Sequence, residues 1–113
     1  MTVVNMPKAD VILKNWNILQ ITVPGSGHTG EIFIGFSVND GLGRLSTKIV
    51  SFDEEAKTGV TSSGSRYTCI GEPGVPDDEA IYVLEQQVGE EKVRSELFSE
   101  DRDGSLKFLY PLK

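Results

Sequence analysis

The residues of this chain able to do chemistry are few and scattered. Gly25-Ser26-Gly27-His28-Thr29-Gly30 spells GxGxxG behind a predicted strand, as a dinucleotide-binding turn would. That chemistry needs a helix N-terminus to meet the pyrophosphate. Glu31-Ile32-Phe33-Ile34-Gly35-Phe36 instead reads as a strand. A kinase-type glycine loop does lie between strands, but its HRD and DFG partners are missing from the sequence. Gly25, Gly27, His28 and Gly30 therefore read first as a hairpin loop, with capture of a small ligand or phosphate by backbone amides as the lesser alternative. His28 is the single histidine, so a two-histidine metal site within one chain is excluded. Asp101, Asp103 and Gly104 imitate the middle of a calcium loop, but the register puts Tyr110 where a bidentate glutamate must stand. The single cysteine, Cys69, cannot form an internal disulfide and sits in the alternating run Tyr67-Thr68-Cys69-Ile70, so it reads as a buried small hydrophobe. Trp16, Phe33, Phe36, Phe52 and Tyr67 fall on predicted strands without interleaved basic residues, which favours core over base stacking. No catalytic constellation, metal or cofactor is expected.

Charge is the clearest remaining signal. The net charge is −6, with residues 1–50 at +1 and residues 51–113 at −7. Between Arg66 and Lys92 there is no basic residue, while Glu72, Asp77, Asp78, Glu79, Glu85, Glu90 and Glu91 are all acidic. Such a field repels nucleic acid, so direct nucleic-acid binding is not expected. Glu72, Asp77, Asp78, Glu79 and Glu85 form a candidate partner surface, although a solvated helix face is the commoner meaning of such a run.

These residues must be positioned by the following elements. Val11 to Val23 is rich in β-formers and reads as one long strand kinked near Lys14-Asn15, or as two short ones. Glu31 to Val38, with Ile32, Phe33, Ile34, Phe36 and Val38, is nearly all apolar, as in a strand buried on both faces, and Asn39-Asp40-Gly41 makes a turn. Leu45 to Phe52, Gly59 to Thr61 and Arg66 to Gly71 are further strands, separated by a polar connector and by Ser62-Ser63-Gly64-Ser65. Glu72-Pro73-Gly74-Val75-Pro76 is a corner. Asp77 to about Val88 is a helix with Asp77 or Asp78 as its N-cap, an apolar stripe of Ile81, Leu84 and Val88, and Gly89 as its stop. For residues 90–113 a C-terminal hairpin turning at Asp101-Arg102-Asp103-Gly104 is expected, with Leu106, Phe108 and Tyr110 alternating after it.

Leu13-x-x-Trp16, Asp40-Gly41, Ser46-Thr47-Lys48-Ile49, Ser63-Gly64-Ser65-Arg66-Tyr67 and Gly71-Glu72-Pro73 together resemble motifs of a group of small β-rich proteins. These are carried as accessory cargo on bacterial mobile elements: plasmids, phages and integron cassettes. The resemblance covers about residues 13–73. It departs at Ser46-Thr47, where the group more often has Thr-Ser, and in the acidic C-terminal part. It implies a bacterial, cytoplasmic β domain and, because the group has no assigned activity, transfers no functional residue.

The expected fold is a single mostly β (α+β) domain over 1–113. It has a small bent antiparallel sheet or partly open barrel of five to six strands, with its β core at about 11–71 and one helix. No apolar run is long enough to span a bilayer, and Met1 to Asp10 lacks the pattern of a signal peptide. The expected function is a non-catalytic binding or interaction module, with a homodimer or another protein as partner. The alternative is an acidic inhibitor or nucleic-acid mimic acting through residues 72–91 against a basic protein surface. An enzyme ranks last.

Overall fold

The computed structural model describes residues 10–22, 27–89 and 106–112. Strand β1 (Asp10–Thr22) is one long strand, the first of the two readings the sequence allows, and its kink is a β-bulge. Lys14 pairs with Phe36 and Asn17 with Ile34, so Asn15 and Trp16 together oppose Gly35 on β2 (Thr29–Ser37). Asn15 takes the left-handed conformation, φ 47°, which asparagine tolerates better than most residues. A Cβ at Gly35 would come within 2.9 Å of the Trp16 Cβ, so the bulge needs glycine opposite it. The extra residue shifts the alternation. Val11, Leu13, Trp16 and Ile18 all enter one core cluster, and Leu19 enters the other.

The remaining strands are β3 (Leu42–Leu45), β4 (Ile49–Asp53), β5 (Thr58–Thr61), β6 (Arg66–Cys69) and β7 (Leu106–Phe108), and helix α1 spans Asp78–Val88. The sheet runs β3-β2-β1-β6-β5-β4, with β7 also paired to β1. The mostly β class with one helix is as expected. Three details differ from the expectation. The expected strand Leu45 to Phe52 is divided: Leu45 ends β3 and β4 begins at Ile49, because Ser46 closes β3 against β2, its N–H donating to the Phe33 carbonyl and its hydroxyl oxygen accepting the Phe33 N–H. The sheet is mixed, because β1 and β6 pair in parallel, Asp10 with Arg66 through Leu13 with Cys69. It has seven strands, because β3 and β4 stand where one strand is expected and β7 joins the same sheet by pairing with β1 at Leu19, Gln20 and Ile21. The expected hairpin turn at 101–104 lies outside the described residues. Beyond β6, the β1 edge is occupied by the proline-rich corner: Ile70 N–H donates to Leu13, Gly74 N–H to Trp16 and Asp77 N–H to Asn15 carbonyls.

The sheet is open but strongly curled. β2 and β4 are far apart in strand order, yet the Phe33 and Phe52 rings meet edge-on at 5.5 Å. Inside the curl Phe33 also stacks on Tyr67 at 5.0 Å, and Trp16 meets Phe52 and Tyr110 edge-on. Of the aromatic set, Trp16, Phe33 and Tyr67 are buried, which places them in the core. Gly59 makes room for the Phe33 ring, since a Cβ there would lie 2.7 Å from its Cζ.

Helix α1 packs Ala80, Ile81 and Leu84 on the outer face of the sheet, against Leu19, Ile34, Leu106 and Phe108. Of the two candidate caps Asp77 is the N-cap and accepts from Glu79 and Ala80 N–H, so the helix begins at Asp78, and Gly89, φ 102°, ends it as expected. The helix covers the β3 side of the outer face. The outer face of β6, β5, β4 and the first half of β1 is left open to solvent. Among the described residues no helix is long and apolar enough to cross a membrane.

Candidate functional site

Alternation along β4, β5 and β6 sends Phe52, Gly59, Tyr67 and Cys69 inward and Ser51, Asp53, Thr58, Val60, Arg66 and Thr68 outward. Register then sorts the outward side chains into two cross-strand rows. Ser51, Val60 and Arg66 stand abreast and continue to Asp10 on β1. Asp53, Thr58 and Thr68 stand abreast and continue to Ile12. These six side chains, with the backbone of Phe52 and Gly59 as floor, line a shallow open groove of about 470 Å³. Its walls carry three hydroxyls, one carboxylate, one guanidinium and one valine. Asp53 Oδ1 accepts from Glu55 and Ala56 N–H, both at 3.1 Å, which fixes the β4–β5 turn at the rim. Arg66 lies 3.7 Å from Asp10 with both side chains mostly exposed, so this pair contributes little and leaves the guanidinium accessible. Ile12 and Ile70 extend the open face beyond the groove and are themselves exposed.

Three of the five residues of the expected acidic surface make local contacts. Asp77 caps the helix. Glu79 Oε1 accepts the Gly43 N–H at 2.6 Å, covering the outer edge of β3. Glu72 pairs with Lys57 at 2.9 Å. Asp78 and Glu85 make no side-chain hydrogen bond to another described residue; Asp78 is exposed and Glu85 half-buried. The charge run is thus split between local structural work and solvent.

The glycine-rich loop leads straight into a strand, β2, so the helix required by a dinucleotide fingerprint does not follow it. Gly25 lies outside the described residues. Gly27 has φ 75°, His28 is exposed, and Gly30 is already in β2 beside the Lys48 side chain. Cys69 is buried, as expected, and desolvation pushes its thiol up to about 12 despite the opposing influence of Lys57, so it is held as the unreactive neutral form. Among the described residues no group of three or more His, Cys, Asp and Glu is placed to hold a metal ion.

A second polar centre has no counterpart among the sequence expectations. Asn17 is fully buried on β1. Its Nδ2 donates to the Gly74 carbonyl at 2.9 Å and to the Tyr110 carbonyl at 3.1 Å. Its Oδ1 accepts from Ile18 N–H at 2.7 Å and Tyr110 N–H at 3.2 Å. One amide thereby ties β1, the proline-rich corner and the C-terminal segment together. Tyr110 adds a hydroxyl bond to Glu54 at 2.9 Å, and desolvation followed by that bond pushes the phenol up to about 12. The arrangement fits a structural clamp, since its donors and acceptors are consumed internally.

Compared with family models, curated proteins and solved structures, the chain matches none.

Proposed function

We propose that this chain is a small non-catalytic protein-binding module that engages its partner through the open outer face of β4, β5, β6 and the first half of β1. Its motif resemblance to accessory cargo of bacterial mobile elements suits such a role. The observation that carries the reading is that α1 covers one half of the outer sheet face and leaves the other half exposed, with Ile12, Val60 and Ile70 among hydroxyls and single charges. Scattered exposed apolar residues are ordinary; a cluster of them ringed by polar groups on a sheet face marks an interaction surface. The groove is shallow and open, which suits a side chain or loop of a protein better than an enclosed small molecule.

A photo-crosslinking amino acid at Val60, with the same group at the exposed helix residue Gln86 as control, tests this. Covalent adducts of defined mass at Val60 and none at Gln86 are expected. Adducts at Gln86 alone, or at neither position, would overturn the reading.

A further inference from the structure

The open face points to a definite partner: we infer that it binds a second copy of this chain in a twofold, face-to-face contact centred on Ile12. The inference rests on the binding-module reading above and names its occupant.

The first observation is the apolar belt. Ile12 is 36% exposed, Val38 45%, Val60 39% and Ile70 50%. Register and backbone bonds make them neighbours. Ile12 stands abreast of Thr68 on β6, the Val38 N–H donates to the Ile12 carbonyl on the other side, and the Ile70 N–H donates to Leu13. Val60 lies one strand beyond β6, abreast of Arg66.

The second observation is the charge on this face. The strands that form it point four charged side chains outward, Asp10, Lys14, Asp53 and Arg66, two of each sign. The chain as a whole carries −6. Two copies approaching at random repel, but through this face they meet neutral on neutral. A basic partner would find more attraction on the acidic surfaces than here.

The third observation decides the geometry. A twofold contact requires a patch complementary to itself. Along β1 the outward residues run Asp10, Ile12, Lys14: acid, apolar, base, each about 7 Å from the next. An axis crossing the strands at Ile12 sets Ile12 against its own copy. It also sets Asp10 of each chain against Lys14 of the other, and Arg66 against the aliphatic Ile70. On β1 no like charges are brought together; the one like-charge pair is Asp53 with its own copy, in the row of Ile12 but three strands away at the β4 edge, where the curl of the sheet draws the two outer faces apart. The same axis carries Thr68 onto its copy, so the two grooves lie side by side across the interface rather than being filled. Twisted sheets stacked in this way cross at roughly 30°, which the short patch accommodates.

Sedimentation equilibrium over micromolar to millimolar concentration reads the result. The wild-type chain is expected to move from the 12.4 kDa of one chain toward twice that mass. Asp10→Lys and Lys14→Asp each place like charges across the axis and are expected to stay monomeric. Mixed in equal amounts, the two variants restore both opposite-sign pairs and are expected to form a heterodimer. Circular dichroism confirms that each variant is folded. A wild-type chain that stays monomeric throughout, or single variants that dimerise as well as the wild type, would overturn the inference. The crosslink at Val60 separates the two readings: an adduct of twice the chain mass agrees with the dimer. An adduct to a different protein from a monomeric chain leaves the binding module standing and removes the second copy as its partner.

Discussion

Replacing Asn17 by leucine should destabilise the fold by about 2–4 kcal/mol, and the reason lies in four hydrogen bonds. Leucine shares the branched outline of asparagine but can neither donate nor accept. The change strands the Gly74 carbonyl and the Ile18 N–H, both on buried residues, together with both backbone groups of the half-buried Tyr110. Each buried orphan costs about 1–3 kcal/mol, and Tyr110 can recover part of its loss from water. Apolar burial of the leucine side chain returns about 1.5–3 kcal/mol. The remainder is a large part of the stability of a domain of this size, which is about 5–15 kcal/mol. Asn17→Asp is the sharper companion. Its shape is unchanged, but an oxygen now faces the two carbonyls that Nδ2 satisfied. A protonated carboxyl at this position restores one donor; an ionised one restores none and is buried. The folded variant therefore binds this proton more tightly than its unfolded chain, and the deficit deepens as pH rises above about 4. Urea titrations of both variants between pH 4 and 8 measure this. A leucine variant within about 0.5 kcal/mol of wild type, or an aspartate deficit that ignores pH, would refute the clamp.

Two further outcomes follow from the packing. Gly43→Ala should cost about 1–3 kcal/mol, because its Cβ would overlap the backbone of Glu79 and Ala80, which cannot rotate away, and would lever α1 off β3. Gly30→Ala meets only the flexible Lys48 side chain at 3.6 Å and should stay within about 0.5 kcal/mol of wild type; thermal melts of the pair that came out equal would contradict the helix placement. Cys69 should resist a thiol reagent such as Ellman's at pH 8 in the folded protein and react at once in denaturant, since its thiol is held at about 12 against an ordinary 9.0. The same shift has a sign in stability. The folded thiol keeps its proton longer than the unfolded one, so its stabilising contribution is full below pH 9 and is lost as pH rises toward 12. Cys69→Ala should flatten that part of the profile, and prompt labelling of the native protein would overturn the argument.

Much of the local architecture is legible in the sequence. The helix needs only local signals: Asp77 ahead of it, Ile81, Leu84 and Val88 along one side, Gly89 behind it. The kink at Lys14-Asn15 is visible as a break in alternation and proves to be the bulge. The two-sided burial of β2 shows in its unbroken apolar run, with Phe33 facing the curl and Ile34 the helix. Cys69, Trp16, Phe33 and Tyr67 read correctly as core because burial follows the same period-two pattern.

The acidic stretch shows where that legibility stops. Its net charge can be counted, but whether Glu79 faces a partner or caps the β3 edge depends on where α1 lands, and that is a matter of packing against Gly43. Asn17 carries no signal in a strand of apolar neighbours, because three of its four bonds go to segments distant in sequence. The outer groove is equally hidden: Ser51, Val60 and Arg66 come abreast only when β4, β5 and β6 pair in this register. What the sequence by itself determined was the mostly β class, the helix and its ends, the bulge and the inward or outward sense of most strand residues, since each depends on neighbours along the chain. Tertiary structure alone decided the parallel pairing of β1 with β6, the docking of β7 on β1, and which half of the outer face α1 leaves bare. A strand edge offers the same unpaired amides and carbonyls to any partner, and the choice among partners is made by the packing of side chains far apart in the chain.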